Sequence, residues 1–200
     1  PWRPCGLGTG TLARIEGAQP GRTILLRGDI DALSVNEETG LPYASEVPGV
    51  MHACGHDCHI SMLLTAAMIV NEIRDRLKGT IVFAFQPAEE LGLGARAMIE
   101  EGALEGVDAC FGMHVWSDYP AGTVALRKGP MMASGDQFKI HVRGKSTHGA
   151  QPQLGADALI MGAAIAQNLQ TIVSRETYPG DTAVVTVGKF HSGTRFNVVA

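Results

Sequence analysis

The chain has no excess of positive charge. Sixteen Lys and Arg stand against twenty Asp and Glu, a formal charge of −4. A nucleic-acid-binding face needs a basic surplus, so that class of partner is not expected. Long hydrophobic runs are also lacking. The longest, Ile60 to Val70, is broken by Ser61 and Thr65, and it is too short to span a bilayer. Aromatic residues make up only 6% and cysteines number four. Two of those, Cys54 and Cys58, lie in a His-rich stretch. That placement favours thiols or metal ligands in a reducing, cytoplasmic setting over a disulfide framework. The sequence opens with Pro1-Trp2-Arg3-Pro4, without an initiator Met or a signal-peptide core. The last residues, Phe196 to Ala200, read as a strand in progress, so a piece of a longer protein is expected.

What is present suits a packed fold. Hydrophobic residues reach 45% and charged residues 18% over 200 positions, enough for one domain and part of another. Thr23 to Arg27 is a short apolar run ending at Gly28-Asp29, and Thr80 to Phe85 is β-branched and aromatic. Between them, apolar residues at 60, 63, 67, 70, 73 and 77 have helical spacing, with Lys78-Gly79 as the expected stop. A short helix is expected over Ala95 to Glu101 and a buried strand over Val107 to Val115. Apolar strands alternating with helices predict an α/β fold with a mostly parallel sheet covered on both faces.

The texture changes around residues 120–135, rich in Gly, Pro and Met. Beyond it Phe138, Ile140 and Val142 alternate with charged residues, a helix is expected over Ala156 to Val173, and strands over 182–190 and 196–199. The boundary is placed near Ser134. Residues 1–133 then form one domain, and 134–200 form a small α+β unit, both partial.

The chemistry concentrates at strand ends. His52, Cys54, His56, Asp57, Cys58 and His59 fall within nine residues just before a helix. Thiolate and imidazole are preferred ligands of zinc-like metals, and Cys54 and His56, two apart, can face one ion. The plain alternative is a reduced cysteine among surface histidines. A closed structural zinc site lacks a second Cys-x-x-Cys pair. Glu89 and Glu90 follow the strand that ends at Gln86, where α/β sheets bind ligands. Adjacent carboxylates there can divide metal binding from proton transfer, or they can simply be a solvated helix start. His114 ends another strand and is either a ligand or a satisfied core histidine. Asp29 and Asp31 are further candidates or turn residues. In the second unit, His148 lies in the bendable loop Gly144 to Pro152, which otherwise reads as an exposed turn.

Four ordered strings carry a resemblance: Arg27-Gly28-Asp29-Ile30-Asp31-Ala32-Leu33, Met51-His52-Ala53-Cys54-Gly55-His56-Asp57, Phe85-Gln86-Pro87-Ala88-Glu89-Glu90, and Gly112-Met113-His114-Val115. With Gly144 to His148 and Phe196 to Val199, the chain resembles the dinuclear-metal aminoacylase/carboxypeptidase family, in its branch of N-acyl-amino-acid amidohydrolases. The resemblance implies a metallopeptidase-like catalytic domain with an inserted lid/dimerisation domain. It implies metal-dependent cleavage of the amide bond of small N-acyl amino acids, by a homodimer. Cys54, His56, Glu90 and His114 match the metal ligands, for two divalent ions per complete subunit (Mn, Zn, Co or Ni). Glu89 matches the general base. His148 matches a residue that binds the substrate carboxylate or stabilises the oxyanion, and Asn197 a polar residue near the substrate. Arg27-Gly28-Asp29 stands where other branches carry His-x-Asp. The family's further His ligand lies beyond Ala200, so this chain alone is expected to bind metal weakly. The rival readings are a thiol hydrolase using Cys54 and a metal-binding or dimerisation module without catalysis.

Overall fold

The computed structural model describes residues 1–200. The chain forms two compact units, Pro1–Gly135 and Asp136–Ala200.

The first unit is built on a five-stranded sheet with strands β1 (Trp2–Pro4), β2 (Thr11–Glu16), β3 (Gln19–Asp29), β4 (Lys78–Gln86) and β5 (Ala109–Gly112). Their spatial order is β1-β2-β4-β3-β5. β4, β3 and β5 run parallel, and β1 and β2 extend the sheet antiparallel beyond β4. The α/β class follows from crossover helices α1 (His56–Glu72) and α2 (Gly94–Glu100) between the parallel strands. The antiparallel pair escapes a sequence reading because β1 has three exposed residues and no period to detect.

β4 is central, and its Val82, Phe83 and Ala84 are buried on alternate faces. Val82 and Ala84 pack with Leu25, Met98, Ala103 and Cys5 on one side. On the other, Gly28 of β3 lies against α1; a Cβ there would sit 3.2 Å from the His59 carbonyl oxygen and 3.3 Å from Leu63. Glycine at 28 therefore sets how closely the helix approaches the strand end.

Two expectations change. Lys78-Gly79 does not stop a helix. α1 ends at Glu72, a 3₁₀ turn covers Arg74–Arg76, and β4 starts at Lys78. Gly79 has φ 86° and its Cα faces the Arg22 carbonyl so closely that a Cβ would lie 2.1 Å from it. The glycine serves the bulge in β3 between Gln19 and Thr23. β5 is shorter than expected and all four of its residues are exposed. It pairs only with β3 at the edge of the sheet, so neither face is buried as a central strand's would be.

The second unit holds α3 (Ala158–Thr171), preceded by a 3₁₀ turn at Pro152–Leu154 and followed by a π turn at Ile172–Glu176. Asp157 caps α3, its Oδ1 accepting from Leu159 N at 3.0 Å and Ile160 N at 3.2 Å. The strands expected at 138–142, 182–190 and 196–199 are not formed; only isolated bridges, Lys145 to Ala156 and His148 to Val198, occur. Alternation supplies one apolar face but no ladder partner, and Phe138, Ile140, Val184 and Phe196 stay exposed. No helix in the chain is long and apolar enough to cross a membrane.

Candidate metal centre

The carboxyl ends of β3 and β4, the first turn of α1 and the residues after β5 meet at one place. β3 leaves the sheet through Asp29, Ile30 and Asp31, and Ile30 N still donates to Gln86 O at 2.9 Å. Asp31 Oδ2 accepts from Glu90 N at 3.0 Å, tying the two strand exits together. The chain then makes an excursion and returns, with Leu33 N to Met51 O at 2.9 Å and Met51 N to Leu33 O at 3.0 Å. That return delivers His52, Cys54 and, through left-handed Gly55 at φ 77°, the start of α1.

The loop after β4 is tightly drawn. Ala88 is left-handed at φ 49°, which costs a non-glycine residue roughly 1–2 kcal/mol. A Cβ at Gly94 would lie 1.5 Å from the Pro87 carbonyl oxygen, so only glycine lets α2 begin there. Glu89 and Glu90 ride on this loop, the half-buried Glu89 and the more open Glu90 both within ligand distance of His56.

His56 is buried at 1% exposure. Its Nδ1 donates to the Asp31 carbonyl oxygen at 2.9 Å, which leaves the lone pair on Nε2. That nitrogen is buried and has no hydrogen-bond partner. Its nearest carboxylate oxygens are Asp29 Oδ2 at 3.7 Å and Glu90 Oε1 at 3.9 Å. His114 is like it at Nδ1, which donates to the Val115 carbonyl oxygen at 2.5 Å, while its Nε2 pairs with Cys54 Sγ at 3.5 Å. A histidine that gives its Nδ1 proton to a backbone carbonyl and turns a bare Nε2 inward is set up as a metal ligand. The ligand atoms of Cys54, His56 and His114 lie within 4.8 Å of one another, and so do those of His56, Glu89 and Glu90.

Electrostatics agree with a cation. Burial, a hydrogen bond with Glu90 and the charges of Glu90, Glu89 and Asp29 push the Cys54 thiol up to about 11. A site that crowds carboxylates around a thiol and an orphaned imidazole lacks positive charge, and a divalent ion supplies it. Asp29 behaves oppositely. Burial alone would raise its carboxyl, but the His59 hydrogen bond and the charges of Arg27, His56 and His59 hold it below the ordinary carboxylate range.

The structure thus gathers Cys54, His56, Glu89, Glu90 and His114 in the first unit. His148 and Asn197 lie exposed in the second. There Gly149 N donates to the Asn197 carbonyl oxygen at 2.8 Å and Ala150 N to His148 Nδ1 at 3.1 Å. The sequence places His59 in the His-rich cluster without a role of its own; in the structure it is 2% exposed and bonded to the buried Asp29. Its position three residues after His56, on the same helix face, was the available signal. All four cysteines are free thiols. A cavity of about 460 Å³ adjoins Glu90, lined by Asp31, Leu33, Pro87 and Leu91 among others.

An α/β sheet with Cys, His and carboxylate donors converging at its parallel strand ends has the donor set of a metal-binding α/β protein. The sequence model of peptidase family M20/M25/M40 matches residues 25–199, and the chain belongs to that family. It is 50% identical over 197 residues to N-acetyl-L-cysteine deacetylase of Bacillus subtilis, covering 98% of this chain and 47% of the relative. Among solved structures, a proposed aminohydrolase from methicillin-resistant Staphylococcus aureus matches with TM-score 0.77 and 38% identity, over 100% of this chain and 53% of that one. A dinuclear metal-binding M20 peptidase from Bacillus subtilis matches with TM-score 0.62 and 52% identity, over 64% of this chain and 36% of that one. The chain spans about half the length of the curated relatives it matches.

Proposed function

We propose that the protein is a metal-dependent amidohydrolase that cleaves the amide bond of small N-acyl amino acids. The observation that carries this reading is the pair of imidazoles, His56 and His114, each with Nδ1 bonded to a backbone carbonyl, the Nε2 of His56 buried without a partner and that of His114 turned to Cys54 Sγ. Cys54, His56, Glu90 and His114 would hold divalent ions, two per complete subunit and drawn from Mn, Zn, Co or Ni. When bound, the ions supply Lewis-acid polarisation of the amide carbonyl and a water acidic enough to react near neutral pH.

The chain's own residues supply the rest. Glu89 sits with Glu90 and His56 and serves as the proton carrier: its carboxylate takes the proton of the attacking water and returns it to the leaving amine. Asp31 holds the loop that bears both glutamates through the Glu90 backbone N–H. The cavity beside Glu90 has the size of a small-molecule site. We assign His148 and Asn197, in a second unit that acts as lid and homodimer interface, to the substrate carboxylate and the developing oxyanion. Relatedness to an enzyme named for N-acetyl-L-cysteine supports the substrate class.

The competing thiol-hydrolase reading has in its favour only the proximity of Cys54 to His114. It needs a thiol lowered toward neutrality, whereas burial and the neighbouring carboxylates push this one the other way. A binding module without catalysis has no use for Glu89 beside the ligand Glu90. The test is hydrolysis of acetyl and benzoyl amino acids by the full-length protein, before and after chelation. Turnover should vanish with chelator and return with divalent metal. Turnover that survives complete metal removal, or none on any acyl amino acid, refutes the proposal.

A further inference from the structure

His59 is buried in the centre yet has no nitrogen to offer an ion. Its Nε2 accepts from Val115 N at 2.9 Å. A backbone N–H can only donate, so the ring proton is on Nδ1, where it bonds Asp29 Oδ1. Asp29 Oδ2 in turn lies 2.8 Å from Arg27 Nη1, and Arg27 Nε donates to Gln86 Oε1 at 2.8 Å. A polar chain therefore runs from Gln86 at the end of β4, through Arg27 and Asp29 on β3 and His59 on α1, to the backbone of Val115.

Its last link matters most. Cys54 and His56 are fixed by the start of α1, and Glu90 by the loop after β4. His114 instead follows the exposed edge strand β5, which hydrogen-bonds only to β3 and is covered on neither face. Nothing in the pairing of β5 extends to His114, since the ladder ends at Gly112. The residue after His114 is the one whose N–H is held by His59, and the two imidazoles meet edge to face with centroids 4.6 Å apart.

We propose that His59 is a positioning residue: a neutral imidazole, oriented by Asp29, that grips the Val115 N–H and so keeps His114 Nε2 aimed at Cys54 and His56. This rests on the reading of Cys54, His56 and His114 as metal ligands.

The test is Co²⁺ titration of the metal-free full-length protein, followed by the visible d–d bands and the near-ultraviolet thiolate-to-cobalt band. His59→Asn keeps an amide donor near Asp29 but reaches no farther, so it loses the Val115 bond. His59→Gln is long enough to accept from Val115 N. His59→Asn should weaken Co²⁺ affinity about tenfold to a hundredfold, the usual scale for outer-shell partners, and shift the d–d bands. His59→Gln should stay near wild type. His59→Asn added to His114→Ala should cost nothing further, because the arm it positions is gone. Equal behaviour of Asn and Gln variants, or independent effects in the double variant, overturns the proposal. A loss of far-ultraviolet circular dichroism by His59→Asn with no such loss by His59→Gln, and wild-type Co²⁺ binding by a folded His59→Ala, would do the same. Absence of Co²⁺ binding by the wild type defeats the metal reading itself, an outcome distinct from a wild type that binds alongside indifferent variants.

Discussion

Cys54 Sγ lies 3.5 Å from His114 Nε2, although sixty residues of chain separate them. Neither group lies within a helix or a strand. One precedes the first turn of α1 and the other follows an edge strand, so their meeting is a property of the sheet's carboxyl edge. The thiol there is also held protonated by its neighbours, which makes it a reporter of whether the site carries added positive charge.

The two adjacent glutamates should separate cleanly by substitution. Glu89→Gln in the full-length protein should keep its metal and lower kcat by about a hundredfold to ten-thousandfold, the range for loss of a general base. Glu90→Gln and His114→Ala should lose metal as well. Metal analysis by mass spectrometry beside steady-state kinetics decides this; a metal-free Glu89→Gln protein would reverse the two roles.

Alkylation should follow the charge around Cys54. In metal-free protein its thiol is raised to about 11, so little thiolate exists at pH 8 and iodoacetamide should modify it slowly. Glu90→Gln removes a hydrogen bond and a charge that favour the protonated thiol, so the reaction should become faster at fixed pH. Peptide mapping of a timed reaction checks the order, and a rate unaffected by Glu90→Gln would contradict it.

Acid should weaken the metal-free fold through Asp29. Its carboxyl lies below the ordinary value in the folded state, so it stabilises the fold at pH above the unfolded carboxylate range. That contribution is lost as pH falls through the folded value. Asp29→Asn should be less stable than wild type at pH 7 and show a shallower loss of stability below about pH 4, where unfolded Asp titrates. Urea melts at several pH values measure it; parallel pH curves for the two proteins would exclude the effect.

His148 should matter for turnover and leave metal content alone. His148→Ala should lower kcat/KM by about a hundredfold to a thousandfold, the scale for an oxyanion partner. If it acts across a dimer, mixing with Glu89→Gln should restore part of the activity in verified mixed dimers. Full activity of His148→Ala with ordinary substrates would remove it from the mechanism.

The central strand sets a stability benchmark. Phe83 has 0% exposure, and Phe83→Ala should cost about 3–5 kcal/mol, read from urea unfolding. A loss under 1 kcal/mol would mean that the packing around β4 relaxes.

Much of the candidate donor set was legible because it sits in short strings beside apolar runs: Glu89-Glu90 after β4, His114 after β5, Cys54 just before α1 and His56 at its first residue. What local pattern could not supply was pairing. Nothing in the spacing of Asp29 and His59, thirty residues apart, announces a buried bond. Gly79 looked like a helix stop because glycine punctuates both helices and bulges, and only the nearby Arg22 carbonyl distinguishes them. The alternation at 138–142 describes one face of a strand and is silent about a neighbour to receive its hydrogen bonds. β1 and β2 join through ladder bonds to β4, a contact that leaves no period in three or six residues.

The reciprocal pair of bonds between Leu33 and Met51 closes residues 34–50 into a loop with a clamped neck. Lengthening a closed loop changes its entropy only slowly, by about 0.6 kcal/mol per doubling. Residues between the clamp points can therefore be exchanged, shortened or extended while Cys54 and His56 keep their places. That makes the loop a natural port for grafting: a place where foreign segments can be spliced in without moving the chemistry behind the clamp.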